Sequence, residues 1–151
     1  MKCSIEPLLP EDFHLCNNIW NMERNRDLAD QFYAELIAGT RVTFVCKMDG
    51  AFVGEISLVH TKDDSDYTIP GQRAYLSRLL VKDTFRRKGI GTALCLYLFQ
   101  FAKEQGYSEL SLGVDLDNYP ALKLYSGLGF SQIILIDEDA QGQYVKLLKK
   151  L

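Results

Sequence analysis

The chain predicts an α/β fold, with a mixed central sheet of about seven strands flanked by four helices. Three observations carry this. The apolar period switches repeatedly between two and 3.6 residues along the chain. Residues 74–81 (AYLSRLLV) are nearly all apolar, as in a strand covered on both faces. Glycine, proline and Asp-Gly signals break the chain at short intervals. At 151 residues, 47% apolar and 25% charged, the composition is globular and the length suits one domain, 1–151.

The elements follow in order. Residues 3–9 alternate weakly, as a first strand. Pro10, Glu11 and Asp12 open a helix to about residue 20, with acids where the helix dipole favours them. Residues 21–27 (NMERNRD) are polar and aperiodic, a loop. A second helix over 28–38 stops at Gly39. Residues 41–48 and 52–60 form strands joined by Asp49 and Gly50, a strong hairpin signal. A polar connection, 61–73, leads to the apolar strand 74–81. From Ile90 the period changes: Ala93, Leu94, Tyr97, Leu98, Phe101 and Ala102 repeat along one side of a helix that ends at Gly106. Residues 109–114 are a short strand. Ala121, Leu124, Tyr125 and Leu128 share one face of a last helix closing at Gly129. Strands at 130–136 and 144–148 flank an acidic turn, 137–142.

Composition also excludes classes. A net charge of −3 argues against sequence-independent nucleic-acid binding, which needs a concentrated positive face. Residues 1–10 lack the apolar core of a signal peptide and no stretch approaches a membrane span, so the expected compartment is the cytoplasm, with no membrane partner. Cys3, Cys16, Cys46 and Cys95 show no paired spacing, and His14 and His60 stand alone. The expectation is free thiols, half-buried or buried, and no metal site.

The most informative segment is Val81 to Thr92 (VKDTFRRKGIGT). A buried strand ends, Arg86, Arg87 and Lys88 follow, and Gly89 and Gly91 open a long helix. A helix start carries backbone N–H groups without internal partners, and its dipole adds positive potential. Glycine lets that backbone approach a ligand closely. The combination suits a pyrophosphate. The same residues also fit an ordinary helix start beside three solvated bases. Two other phosphate loops do not fit. Ile90 and Gly91 stand where a Walker loop needs Lys and Ser or Thr, and Leu94 stands at the third glycine of the dinucleotide fingerprint.

At these residues the chain resembles the GNAT superfamily of acyl-CoA-dependent N-acetyltransferases. Arg86-Arg87-Lys88-Gly89-Ile90-Gly91 matches its Arg/Gln-x-x-Gly-x-Gly/Ala signature after a buried strand. Asn118, Ala121, Tyr125, Gly129 and Phe130 match its second block. The two blocks and the order of elements cover nearly the whole chain. The resemblance implies the acyl-CoA N-acyltransferase fold, in which the fourth strand carries a bulge and splays from the fifth in a V. It implies acetyl-CoA (coenzyme A) as the acyl donor and direct attack by a bound amine. The pyrophosphate would be held around Arg86, Arg87, Lys88, Gly89, Ile90, Gly91 and Thr92. Leu79, Leu80 and Val81 would run beside the pantetheine arm, with the Leu79 amide donating to the thioester carbonyl. Asn118 would contact the donor, and Tyr125 would protonate the leaving sulfur. By spacing alone, Tyr125 also fits a core aromatic, and Asn118 a helix N-cap.

The match departs in one place. Many relatives carry a glutamate early in the strand before the phosphate turn, where this chain has Tyr75. Arg78 is the only charged residue over 74–81. Glu55, on the preceding strand, is the candidate base, and its position also fits a solvent-facing strand residue. Residues 21–27 and 137–142 border the usual entrance for the acceptor, a small-molecule or peptide amine. Asp137, Glu138 and Asp139 there suit either a cationic amine or plain solvation. The missing glutamate leaves a second reading, a non-catalytic acyl-CoA-binding module. An edge strand and the C-terminal hairpin offer surfaces for a homodimer.

Overall fold

A computed structural model describes residues 3–151. They divide into two compact units, residues up to 59 with 77–100, and 60–76 with 101–151. Strand β4 (Arg73–Val81) and helix α2 (Ile90–Glu104) run through both.

The first unit holds β1 (Cys3–Pro7), a 3-10 helix (Pro10–Asn18), α1 (Arg26–Ala38), β2 (Arg41–Met48), β3 (Ala51–Val59), the second half of β4 and most of α2. Strand neighbours run β1-β2-β3-β4. The β2–β3 hairpin turns where predicted, with positive φ at both Asp49 (52°) and Gly50 (81°), as a tight two-residue turn requires. Helix α1 ends at Gly39 in the left-handed region, φ 80°. The first predicted helix is a 3-10 helix. Its last residues turn their side chains to backbone groups elsewhere: Asn17 Oδ1 accepts from the Met22 amide and Asn18 Nδ2 donates to the Phe52 carbonyl. Leu8, Phe13, Trp20, Ala29, Phe32, Val45 and Phe52 form the core under these helices. On β3, Gly54 lets α2 approach. A Cβ there would lie 3.2 Å from Ile90 Cγ2 and from Leu94 Cδ1, and 3.3 Å from the Leu80 carbonyl.

The second unit holds the first half of β4, β5 (Glu109–Asp115), α3 (Tyr119–Gly127), β6 (Gln132–Asp139) and β7 (Gly142–Lys150). Its strands run β4-β5-β7-β6. Strand β4 pairs with β5 in parallel over Arg73–Tyr75 alone; β5–β7 and β6–β7 are antiparallel. Seven strands of mixed sense thus match the predicted class. The acidic turn at 137–142 is corrected. Asp137, Glu138 and Asp139 pair with Tyr144, Gln143 and Gly142, so the acids extend β6 and only two residues turn. Asp139 Oδ1 caps that turn by accepting from the Gln141 amide at 2.9 Å.

The free-thiol expectation is also corrected for two cysteines. Cys3 and Cys46 are joined by a disulfide, Cα atoms 5.8 Å apart, while Cys16 and Cys95 are buried and free. The β1–β2 register sets Ile5 opposite Cys46, which puts Cys3 diagonally across on the same face. Spacing along the chain cannot reveal such a pair. Among the described residues no helix is long and apolar enough to cross a membrane.

Candidate active site

The glycine turn lies in the first unit. Arg87 (φ 61°) and Gly89 (φ 79°) both adopt the left-handed region, which winds the backbone tightly before α2. The earliest helical bond recorded there runs from the Ala93 amide to the Gly89 carbonyl, 3.0 Å. Amides of the first turn therefore lack intrahelical partners. Arg86, Arg87, Lys88 and Gly89 are exposed, and Gly91 and Thr92 are half-buried. Ile90 is different: its side chain is buried against Gly54, so only its backbone can meet a ligand. Arg86 pairs with Asp83 at 3.0 Å, an exposed bridge of small worth. The turn, its unpaired amides and its basic flank fit a pyrophosphate.

Upstream, Leu79, Leu80 and Val81 are half-buried on β4. Arg78, just before them, has φ 64°. A bulky residue in that region inside a strand is a backbone irregularity at about 1–3 kcal/mol of strain. The Lys82 amide then rejoins β3 by donating to the Val53 carbonyl at 2.8 Å.

Glu55 sits on β3 and is 2% exposed. The solvent-facing reading is thereby corrected: β3 is buried from Phe52 to Val59, so alternation leaves it no exposed face. Trp20 Nε1 donates to Glu55 Oε1 at 2.6 Å. Burial pushes the carboxyl up to about 7, against the pull of that hydrogen bond and of the Arg78 and Arg41 charges. Burial, and then Glu55 itself, push the Cys16 thiol far up, so it stays protonated. Arg41, also buried, donates from Nε to Glu35 (2.9 Å) and from Nη2 to Ser77 Oγ (3.2 Å). Its guanidinium lies 3.8 Å from the Phe32 ring centroid, and that of Arg78 lies 4.5 Å from the Trp20 ring. Sequence reading picked out Glu55 but missed Trp20, Arg41 and Cys16 around it. The one available signal was Arg78, a lone charge in an apolar strand.

In the second unit, Asn118 takes the capping role, its Oδ1 accepting from the Ala121 amide at 3.3 Å. Tyr125 is buried, with its ring edge-on to Phe130, centroids 5.7 Å apart. Tyr75, at the position of the usual glutamate, packs against Tyr67 with the rings tilted by 40° and centroids 4.5 Å apart. Lys146 is buried beside them, bonded to Asp64 and Asp66 at 2.9 and 3.0 Å. Glu109, buried, accepts from Lys150, Gln72 and Arg73. Burial opposes its ionisation, but those three bonds and the Arg73 charge outweigh it and hold the carboxyl at about 2. No group of three or more His, Cys, Asp or Glu side chains among the described residues could hold a metal.

A strand with a left-handed residue at Arg78, followed by a glycine turn at the start of α2, marks an α/β protein of mixed sheet. Residues 5–130 match the model of the acetyltransferase (GNAT) family, and the chain belongs to that family. It is 32% identical over 106 residues to N-acetyltransferase family 8 member 3 of Mus musculus, covering 70% of this chain and 46% of that one. The chain thus spans under half the length of that relative. Among solved structures, the IAA acetyltransferase from Bacillus cereus superposes with TM-score 0.75 at 23% identity, over 99% of this chain and 100% of that one. The PaiA N-acetyltransferase from Thermoplasma acidophilum, in complex with coenzyme A, superposes with TM-score 0.71 at 20% identity over the whole of both chains. These likenesses establish the fold.

Proposed function

We propose that this chain is a single-domain N-acetyltransferase that moves an acetyl group from acetyl-CoA to an amine by direct attack. The observation that carries the reading is the run of left-handed residues from β4 into the glycine turn: φ 64° at Arg78, φ 61° at Arg87 and φ 79° at Gly89, leading into α2. The family match and the coenzyme A complex of the Thermoplasma protein support the choice of donor. When bound, acetyl-CoA supplies a thioester carbonyl open to a neutral amine.

The chain's own residues then have defined tasks. Backbone amides at 87–92, with the side chains of Arg86, Arg87 and Lys88, hold the pyrophosphate. Leu80 and Val81 align the pantetheine arm. The Leu79 amide donates to the carbonyl oxygen as negative charge develops, a contribution of about 2.7–4 kcal/mol where a comparable donor is removed. Glu55, with a carboxyl near 7, accepts the amine proton, through water because it is buried. Tyr125 donates a proton to the departing sulfur, and Asn118 contacts the donor while capping α3.

The acceptor is a small-molecule or peptide amine. The composition supports a cytoplasmic protein with no nucleic-acid or membrane partner, and the C-terminal hairpin supplies a surface for a homodimer.

Calorimetry with acetyl-CoA tests the donor. Wild type binds at micromolar strength, about −8 kcal/mol; Arg86→Ala and Gly89→Glu lose most of it. Folded protein that does not bind refutes the reading. Tyr75 at the glutamate position favours a second reading, a non-catalytic acyl-CoA-binding module. Tyr125→Phe separates them. A catalyst keeps donor binding and loses most of its turnover, whereas a sensing module has no turnover to lose.

A further inference from the structure

Inside the first unit, near Glu55, the guanidinium groups of buried Arg41 and half-buried Arg78 are incompletely paired. Arg41 is 5% exposed, and its Nη1 has no hydrogen-bond partner although Nε and Nη2 do. The Nε of Arg78 is likewise buried and unpartnered. Arg78 forms no ion pair among the described residues; Glu55 reaches it only as a through-space attraction. Its guanidinium instead lies near two rings, 4.5 Å from the Trp20 centroid and 5.9 Å from that of Phe32. A buried charged donor left unpaired is costly, and a ligand that completes it is one explanation for its retention.

Arg78 also lines a cavity of about 530 Å³, with Trp20, Leu80, Lys82, Thr84 and Arg86 among its walls. A planar guanidinium is the group suited to take a carboxylate or a phosphate oxygen pair. Of the two, the phosphates belong to the glycine turn. That turn begins beyond Lys82, which is itself four residues, at most roughly 13 Å, past Arg78.

We propose that this cavity binds a carboxylate at Arg78, and that the acceptor is therefore an amino acid or peptide carrying a carboxylate near its reactive amine. The site rests on the geometry around Arg78; that the carboxylate belongs to an acceptor rests on the acetyltransferase reading. Arg41, clamped to Glu35 and Ser77, stiffens the wall behind it and adds positive potential.

Trp20 is the chain's single tryptophan and touches the proposed site, so its fluorescence reports binding without any acetyl-CoA present. Acetate and its neutral isostere acetamide are titrated at fixed ionic strength. A saturable change with acetate, at least tenfold weaker with acetamide, is expected. Arg78→Gln abolishes it, and Arg78→Lys, which keeps the charge without the planar fork, weakens it at least threefold. Equal responses to acetate and acetamide in wild type overturn the proposal, whatever the variants do. So does an acetate response that survives in folded Arg78→Gln. Sodium pyrophosphate is the third probe: an Arg78-dependent response to it and none to acetate would assign the cavity to the donor's phosphates instead. Acetyl-CoA binding is measured separately. Donor binding without acetate binding sinks this inference alone, and acetate binding without donor binding sinks the acetyltransferase reading alone.

Discussion

Replacing Glu55 with glutamine is the sharpest test of the buried cluster, because the change is nearly isosteric and its effect on stability depends on pH. Folded Glu55 holds its proton up to about pH 7, against 4.5 for the free carboxyl. Between those values the folded chain binds a proton that the unfolded chain has released. Wild-type stability therefore falls as pH rises from 4.5 to 7, and this penalty is constant above 7. The gap of about 2.5 pH units corresponds to about 3 kcal/mol. Glutamine keeps an acceptor for Trp20 Nε1 and cannot titrate. Relative to wild type, Glu55→Gln gains about 3 kcal/mol between pH 4 and pH 8, worth roughly 6–12 °C in Tm for a chain of this size. Thermal melts of both proteins at half-unit pH steps read this directly. Curves that stay parallel across the window refute the argument that burial dominates Arg41 and Arg78 at this carboxyl. The same variant tests the base. If Glu55 takes the amine proton, the wild-type rise in kcat/KM with an apparent pKa near 7 disappears in Glu55→Gln.

Three further outcomes follow from other contacts. Glu109 has the opposite sign. Its folded pKa of about 2 lies below 4.5, so its stabilisation is complete above 4.5 and lost as pH falls toward 2. Glu109→Gln should cost about 3 kcal/mol at pH 7, with the gap in urea midpoints closing by pH 2–3. Gly54→Val puts carbon 3.2–3.3 Å from Ile90, Leu94 and the Leu80 carbonyl. It should cost about 1–3 kcal/mol and weaken acetyl-CoA binding by shifting the first turn of α2; unchanged calorimetry would count against that placement. Gly113→Ala drives a Cβ to 2.5 Å from Tyr67 Oη, which should displace the Tyr67–Tyr75 pair at about 1–3 kcal/mol, visible in near-ultraviolet dichroism.

Much of the architecture could be read from local rules. The β2–β3 hairpin, the stop of α1 at Gly39 and the long run of α2 depend on turn chemistry and on one helical period, which neighbouring residues set among themselves. The glycine turn before α2 was legible for the same reason: Arg86, Gly89 and Gly91 are close in sequence, and a helix start always leaves its first amides unpaired. Asn118 was likewise readable as a cap. The surroundings of Glu55 were not. Trp20, Arg41, Arg78 and Cys16 come from four elements, and their meeting depends on register and packing across tens of residues. Solvent exposure of Glu55 was a fair expectation for one charge on an alternating strand, but helices over one face and α2 at Gly54 on the other leave β3 no solvent side. The Cys3–Cys46 bond and the Glu109 network share this origin. Residue types and their order determined which elements form and where the glycine turn opens α2. Which charges lose their water, and hence which carboxyl is pushed up and which down, was decided only by tertiary packing, because desolvation depends on everything that surrounds a group.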